Sequence, residues 1–162
     1  MYPLFLVGNT QVTVLLALSV IVLLILSFFI SGAEVAFFSL TYRDVNLLKT
    51  KQDPGWKRIA NLLEEPKTLL ASLMIGNGLV NIAAIILLNV LVDEIHIIDQ
   101  IFLWQRLALL PVKIILITSL VLLFGEILPK VRATQNNLRF AYEASYLVEI
   151  IYLLFKRIAT RL

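Results

Sequence analysis

Residues 12–38 form an apolar run interrupted by a single charge, Glu34, and no other charged side chain lies between Met1 and Tyr42. A stretch of this kind exceeds the roughly 20 residues needed to cross a hydrocarbon core as a helix. Two further runs, 69–92 and the shorter 112–128, approach or reach that length. With 60% hydrophobic and 15% charged residues, the chain carries more apolar surface than a soluble domain of its size can bury, so the bilayer is its natural solvent. The first run is too long for a secretory h-region and lacks a basic n-region and a small-residue cleavage site, so it is expected to stay in the mature protein. The sequence therefore predicts an all-α integral membrane fold in which residues 1–162 form one transmembrane domain with three membrane-crossing helices.

The distribution of basic residues predicts the orientation. Residues 41–68 carry Arg43, Lys49, Lys51, Lys57, Arg58 and Lys67, and the stretch after Pro129 carries Lys130, Arg132, Arg139, Lys156, Arg157 and Arg161. The remaining connection, 93–111, has Arg106 against Asp93, Glu94 and Asp99. The positive-inside rule then places the N-terminus outside and both basic segments in the cytoplasm, as expected of a bacterial inner membrane protein. Topology and anionic lipid explain these clusters better than nucleic acid does. The absence of cysteine excludes disulfides and thiolate chemistry. No HExxH, Gly-x-Ser-x-Gly or phosphate-cradling glycine loop is present, so neither an enzyme nor an ATP-driven pump is expected.

Residues 42–65 alternate in helical register around the turn signal Gln52-Asp53-Pro54-Gly55, which predicts a cytoplasmic juxtamembrane hairpin of two short helices. Trp56 is expected as an interfacial anchor, Pro66 as the start of the second span, and Pro3, Gly8 and Asn9 as turn formers in a short outer segment. His96 reads as a surface residue and Trp104 as an interfacial anchor. Pro129 predicts a break or kink just after Glu126, freeing carbonyls near Gly125. Residues 138–160 mix apolar positions with Glu143, Glu149, Lys156 and Arg157, which favours a C-terminal amphipathic belt helix over a fourth crossing.

Each span carries polar groups that an apolar helix does not need. Ser27, Ser31 and Glu34 share one stripe of the first, Ser72, Asn77 and Asn81 mark the second, and Gly125 and Glu126 close the third. Hydroxyls, amide oxygens, opened carbonyls and carboxylates without sulfur or imidazole select hard cations such as Mg2+, Ca2+ or Na+. Serine, glycine and asparagine at these spacings are also ordinary glue between membrane helices. That reading is preferred for Ser72 and Ser39, stands level with ligation for Asn77 and Asn81, and is set behind function for Glu126. Glu34 fits a ligand, a proton site or an interfacial charge equally.

Taken together, Ser27-x-x-x-Ser31-Gly32-x-Glu34-x-Ala36-x-x-Ser39, Gly76-Asn77-x-x-x-Asn81 and Gly125-Glu126-Ile127-x-Pro129-Lys130 resemble the transmembrane domain of the CNNM/CorC family, which is linked to Mg2+ export. The resemblance covers essentially the whole chain. It implies an inward-facing homodimer of three-helix protomers that export Mg2+, coupled to Na+. It also implies an acidic Mg2+ cavity formed by Ser27, Ser31, Asn77, Asn81, Gly125 and Glu126; the polar residues of the spans add Glu34 and Ser72 as secondary candidates. Which serine ligates stays open. Full-length members continue into cytoplasmic CBS domains that bind ATP, so this chain is expected to be the membrane part of a longer protein. Some bacterial relatives are associated with motility or secretion instead, which keeps a non-transporting dimeric scaffold as the alternative.

Overall fold

The computed structural model describes the backbone of residues 3–94 and 103–160 and the side chains of residues 10–93 and 110–160. In chain order the elements are α1 (Pro3–Phe38), α2 (Tyr42–Thr50), α3 (Pro54–Leu62), α4 (Pro66–Glu94), α5 (Leu103–Leu122), a π-helical turn (Leu123–Ile127), α6 (Leu128–Gln135) and α7 (Asn137–Ala159). No strand occurs among the described residues, and three helical stretches are long and apolar enough to cross a membrane: Thr10–Phe38, Pro66–Asp93 and Leu110–Gln135. This is an all-α membrane fold.

Helix α1 already begins at Pro3, so the turns expected at Pro3, Gly8 and Asn9 are helical backbone instead. Proline is tolerated in the first turn of a helix, and each further residue of a helix already nucleated adds a hydrogen bond, which outweighs weak local turn preferences. The side chains of His96 and Trp104 lie outside the described residues. At the far end of α1, Thr41 caps α2 in a reciprocal box with Asp44, whose carboxyl is held below its ordinary range by the Thr41 hydroxyl and then the Thr41 amide. Asp53 caps α3, and Pro54 occupies a first-turn position where its missing donor costs nothing. The two helices form the expected hairpin, and the end of the bundle that carries it is called the inner end below.

The third span differs from expectation. Pro129 does not break it, because residues 123–127 widen into a π turn in which the Leu128 amide donates to the Leu123 carbonyl. Leu128 keeps ordinary helical torsions, φ −60° and ψ −45°. The wider register accommodates the proline ring, so the span runs on through Gln135 and is longer than its apolar run.

Helix α7 lies against α1, α3 and α4, burying Phe140, Ala141, Ala144, Val148 and Ile151. Its charges, too frequent for a crossing helix, find partners at the inner end. Glu149 meets Arg58 of α3 at 2.6 Å, and Lys156 meets Glu65 at 3.0 Å. Trp56 stacks on Tyr142 with centroids 4.7 Å apart, tying the hairpin to the belt. Glycine permits the closest approach, since a Cβ on Gly32 would stand 2.3 Å from the Phe140 ring. Near the opposite end of the spans, Lys113 of α5, only 10% exposed, pairs with Asp93 of α4 at 2.6 Å.

Candidate functional site

Ser27 is fully buried at the centre of the bundle. Its hydroxyl lies 2.6 Å from Asn81 Oδ1, 3.1 Å from the Gly125 carbonyl oxygen and 3.4 Å from Asn77 Oδ1. All three spans thus contribute to one cluster of four oxygens. By 1.5 Å per residue, Ser27, Asn77 and Gly125 each stand within about 5 Å of the centre of their span. The depth is shared because the three helices place these residues at matching heights.

Local rules bring these oxygens together. Asn77 and Asn81 are one turn apart, so both amides leave α4 on the same face. In an α-helix the donor to the Gly125 carbonyl would be the amide of residue 129, which proline lacks. That carbonyl accepts from Ser27 instead. Gly125 itself is indispensable to the approach, because a Cβ there would lie 2.6 Å from Ser27 Oγ and 3.4 Å from Asn81 Oδ1.

The electrostatics are lopsided. The single hydroxyl proton has three acceptors within reach, Asn81 Oδ1 the nearest, and no other side chain among the described residues donates a hydrogen bond to these oxygens. Converging lone pairs repel unless a proton or a cation sits among them. One turn further on, Ser31 is also fully buried, and its hydroxyl has no hydrogen-bond partner among the described residues. An unsatisfied buried hydroxyl costs about 1–3 kcal/mol.

The remaining candidates make no hydrogen bond to Ser27 among the described residues. Ser72 returns its proton to the Thr68 carbonyl at 2.8 Å, as helix-borne serines do. Ser39 does the same toward Ala36. Glu126, adjacent to Gly125, turns its carboxylate to Lys130, one turn along the helix at 2.9 Å. Glu34 is half-buried and has no hydrogen bond or ion pair among the described residues. No three His, Asp or Glu side chains gather among the described residues; the cluster is built from neutral oxygens. The Glu126–Lys130 pairing escaped the motif reading, although a glutamate four residues before a lysine is the favourable helical orientation.

Comparison with known proteins gives a consistent kinship. Residues 18–161 match the family described as the cyclin M transmembrane N-terminal domain, CNNM. A UPF0053 protein of Haemophilus influenzae is 29% identical over 135 residues, covering 83% of this chain and 30% of that protein. The UPF0053 inner membrane protein YfjD of Escherichia coli is 27% identical over 129 residues, covering 80% of this chain and 28% of that protein. The chain spans less than a third of the length of these relatives.

Proposed function

The chain belongs to the CNNM family of transmembrane domains, and from that membership and the oxygen cluster we propose that it moves a divalent cation, Mg2+, across the membrane. The observation that carries this reading is the surplus of acceptors around Ser27: four oxygens from three spans with one proton among them. The donors are hard and neutral, a set that suits a hard cation. Adjacent oxygens around octahedral Mg2+ stand about 2.9 Å apart, given metal–oxygen distances of about 2.0–2.1 Å. The 2.6–3.4 Å separations from Ser27 bracket that edge.

Glu126 supplies the charge that the neutral cluster lacks. Lys130 neutralises its carboxylate, which spares the membrane interior a bare charge. An arriving cation competes with Lys130 for the carboxylate, so loading and release of the lysine are one exchange. The π turn between the cluster and Pro129 is the stretch of the third span whose hydrogen bonding is already widened, and π turns recur at functional sites. Rearrangement there would open the midplane site to one face and then the other. Export of Mg2+ against Na+ entry, a homodimeric assembly, a cytoplasmic C-terminus and regulation by cytoplasmic CBS domains complete the proposal, supported by the family resemblance and by the basic inner end.

Calorimetric titration of the detergent-solubilised chain with Mg2+ tests it. Ser27→Ala and Asn81→Ala are expected to weaken binding by about tenfold or more each, whereas Lys130→Gln, which leaves Glu126 uncontested, should strengthen it. Unchanged affinity in both site variants would sink the site. A second reading rests on the 2.6 Å Ser27–Asn81 hydrogen bond, which by itself is glue between spans worth roughly 0.6 kcal/mol. As a scaffold, the chain would show no Mg2+ flux in liposomes above background, and the same substitutions would weaken its assembly instead.

A further inference from the structure

Two cavities flank the inner half of α1 and run into one another. One, of about 580 Å3, has a polar wall of Arg132, Asn136 and Arg139. The other, of about 350 Å3, is walled by Ile21, Leu24, Ile25 and Phe124. Phe28, Phe140, Arg132 and Glu143 line both, which makes them one groove with a cationic mouth and an apolar limb.

The charges at the mouth do not cancel. Arg139 donates to Glu143 at 2.9 Å, which neutralises the carboxylate facing the groove. Arg132 is exposed and has no hydrogen bond or ion pair among the described residues. One guanidinium is left to be matched where the third span meets the membrane surface. Planar donor geometry suits a phosphodiester, which it can grip with two parallel hydrogen bonds. From Phe28 up to Ile21 the apolar limb rises about 10 Å along α1 at 1.5 Å per residue, across the centre of the span Thr10–Phe38, so an acyl chain entering from the inner end fills it with its terminal carbons at the bilayer midplane.

We propose that this groove binds one anionic phospholipid of the leaflet at the inner end, its phosphate on Arg132 and an acyl chain along Ile21, Leu24, Ile25 and Phe124. Charge and shape together favour this occupant. A soluble phosphate would leave the apolar limb empty, and the apolar side chains of a second copy would leave the guanidinium unmatched. The site is separate from the oxygen cluster, so the lipid acts on the third span and α7 and not on the cargo. Because α6 carries Arg132 directly after the π turn, a bound headgroup would tether the stretch that has to move if the site opens.

Native mass spectrometry of the whole chain in detergent, titrated with dioleoyl phosphatidylglycerol or dioleoyl phosphatidylcholine, tests the proposal. The wild type is expected to retain phosphatidylglycerol in preference to phosphatidylcholine by about fivefold or more, the effect of one interfacial cation. Arg132→Gln should abolish the preference, and Ile25→Trp, which fills the limb, should reduce retention of both lipids with Arg132 intact. Should Ile25→Trp fail to fold, a phosphatidylglycerol bearing a photoreactive acyl chain gives the same answer in the wild type, cross-linking to α1 and Phe124. An undiminished preference in Arg132→Gln overturns the proposal. So does displacement of the lipid by glycerol 3-phosphate at equal concentration, which would mark a free-anion site. A dimer that both substitutions dissociate would assign the groove to a second copy, and photolabelling elsewhere would remove the lipid from it.

Discussion

The two halves of the bundle are packed very differently on either side of the oxygen cluster. At the inner end a broad core joins α1, α2, α3, α4, α6 and α7 around Ile30, Phe37, Leu69, Leu73, Phe140 and Val148. At the other end a thin core of Val20, Ala84, Leu88, Ile117 and Val121 holds the three spans alone. The cluster lies on the seam. Ser27 falls between Val20 and Ile30 on the first span, Asn77 and Asn81 between Leu73 and Ala84 on the second, and Gly125 between Val121 and Ala133 on the third. A polar site on that seam has a braced frame on one side and a lightly held bundle on the other. Relative motion of the halves changes the site before it changes either core.

The contrast is broken or kept most directly by two truncations. Phe140, 4% exposed, packs against both Phe28 and Phe29 with centroids 6.0 Å away and fills the space over Gly32. Phe140→Ala is expected to lose about 3–5 kcal/mol, the usual cost of emptying an aromatic site in a core. Leu88→Ala, in the thin core at 8% exposure, should lose less than about 2 kcal/mol, because lipid can enter beside it and remove most of the cavity cost. Equal losses in thermal unfolding of the detergent-solubilised chain would mean that the two halves are braced alike.

Two glycines sharpen the comparison at the seam itself. Gly125→Val places a branched side chain where even a Cβ lies 2.6 Å from Ser27 Oγ. Overpacking of this kind costs about 1–3 kcal/mol, and Mg2+ affinity should fall by about tenfold or more as the third span is pushed away. Gly78→Ala meets nothing within 4 Å and should leave affinity unchanged while stabilising α4 by about 0.5–1 kcal/mol. A calorimetric loss of equal size in both would show that the effect belongs to the bundle as a whole, not to the close approach at Gly125.

How far the sequence reached depends on how local each signal is. The spans, the hairpin and the amphipathic belt are written in runs, turns and charge frequency, all of which act within a few residues. Ser27, Asn77, Asn81 and Gly125 were legible as candidates because polar side chains are conspicuous in apolar helices. Their convergence on one hydroxyl depends on relative helix depth, which no single stretch encodes. The continuous third span was not legible, since proline rules presume α-helical register and a π turn relieves the clash they describe. Glu126 illustrates the limit: its motif points to the site, whereas a lysine one turn away takes its carboxylate.

The smallest expected effect concerns how the belt is fastened to the frame. Glu65, at the mouth of the second span, accepts from Lys156 Nζ at 3.0 Å and from the Tyr152 hydroxyl at 2.9 Å. Lys156 first, and then Tyr152, hold its carboxyl below the ordinary value of 4.5. The Lys156 ammonium is in turn raised above 10.5 by Tyr152 and by Glu65. A lowered acid contributes stability that is present above its unfolded value and lost as the pH falls through the folded one; a raised base contributes stability that is present below its unfolded value and lost as the pH rises through the folded one. The fastening is therefore intact at neutral pH and weakens toward both extremes, below about 4.5 and above about 10.5. Exposure keeps the effect small, in line with other surface ion pairs. Hydrogen exchange in the last turns of α7 should rise on acidification from pH 7 to pH 4 in the wild type, after correction for the intrinsic rate. In Glu65→Gln it should be faster at neutral pH and insensitive to the change. If both proteins respond alike, the belt is held by its buried face alone, and the inner half owes its bracing entirely to packing.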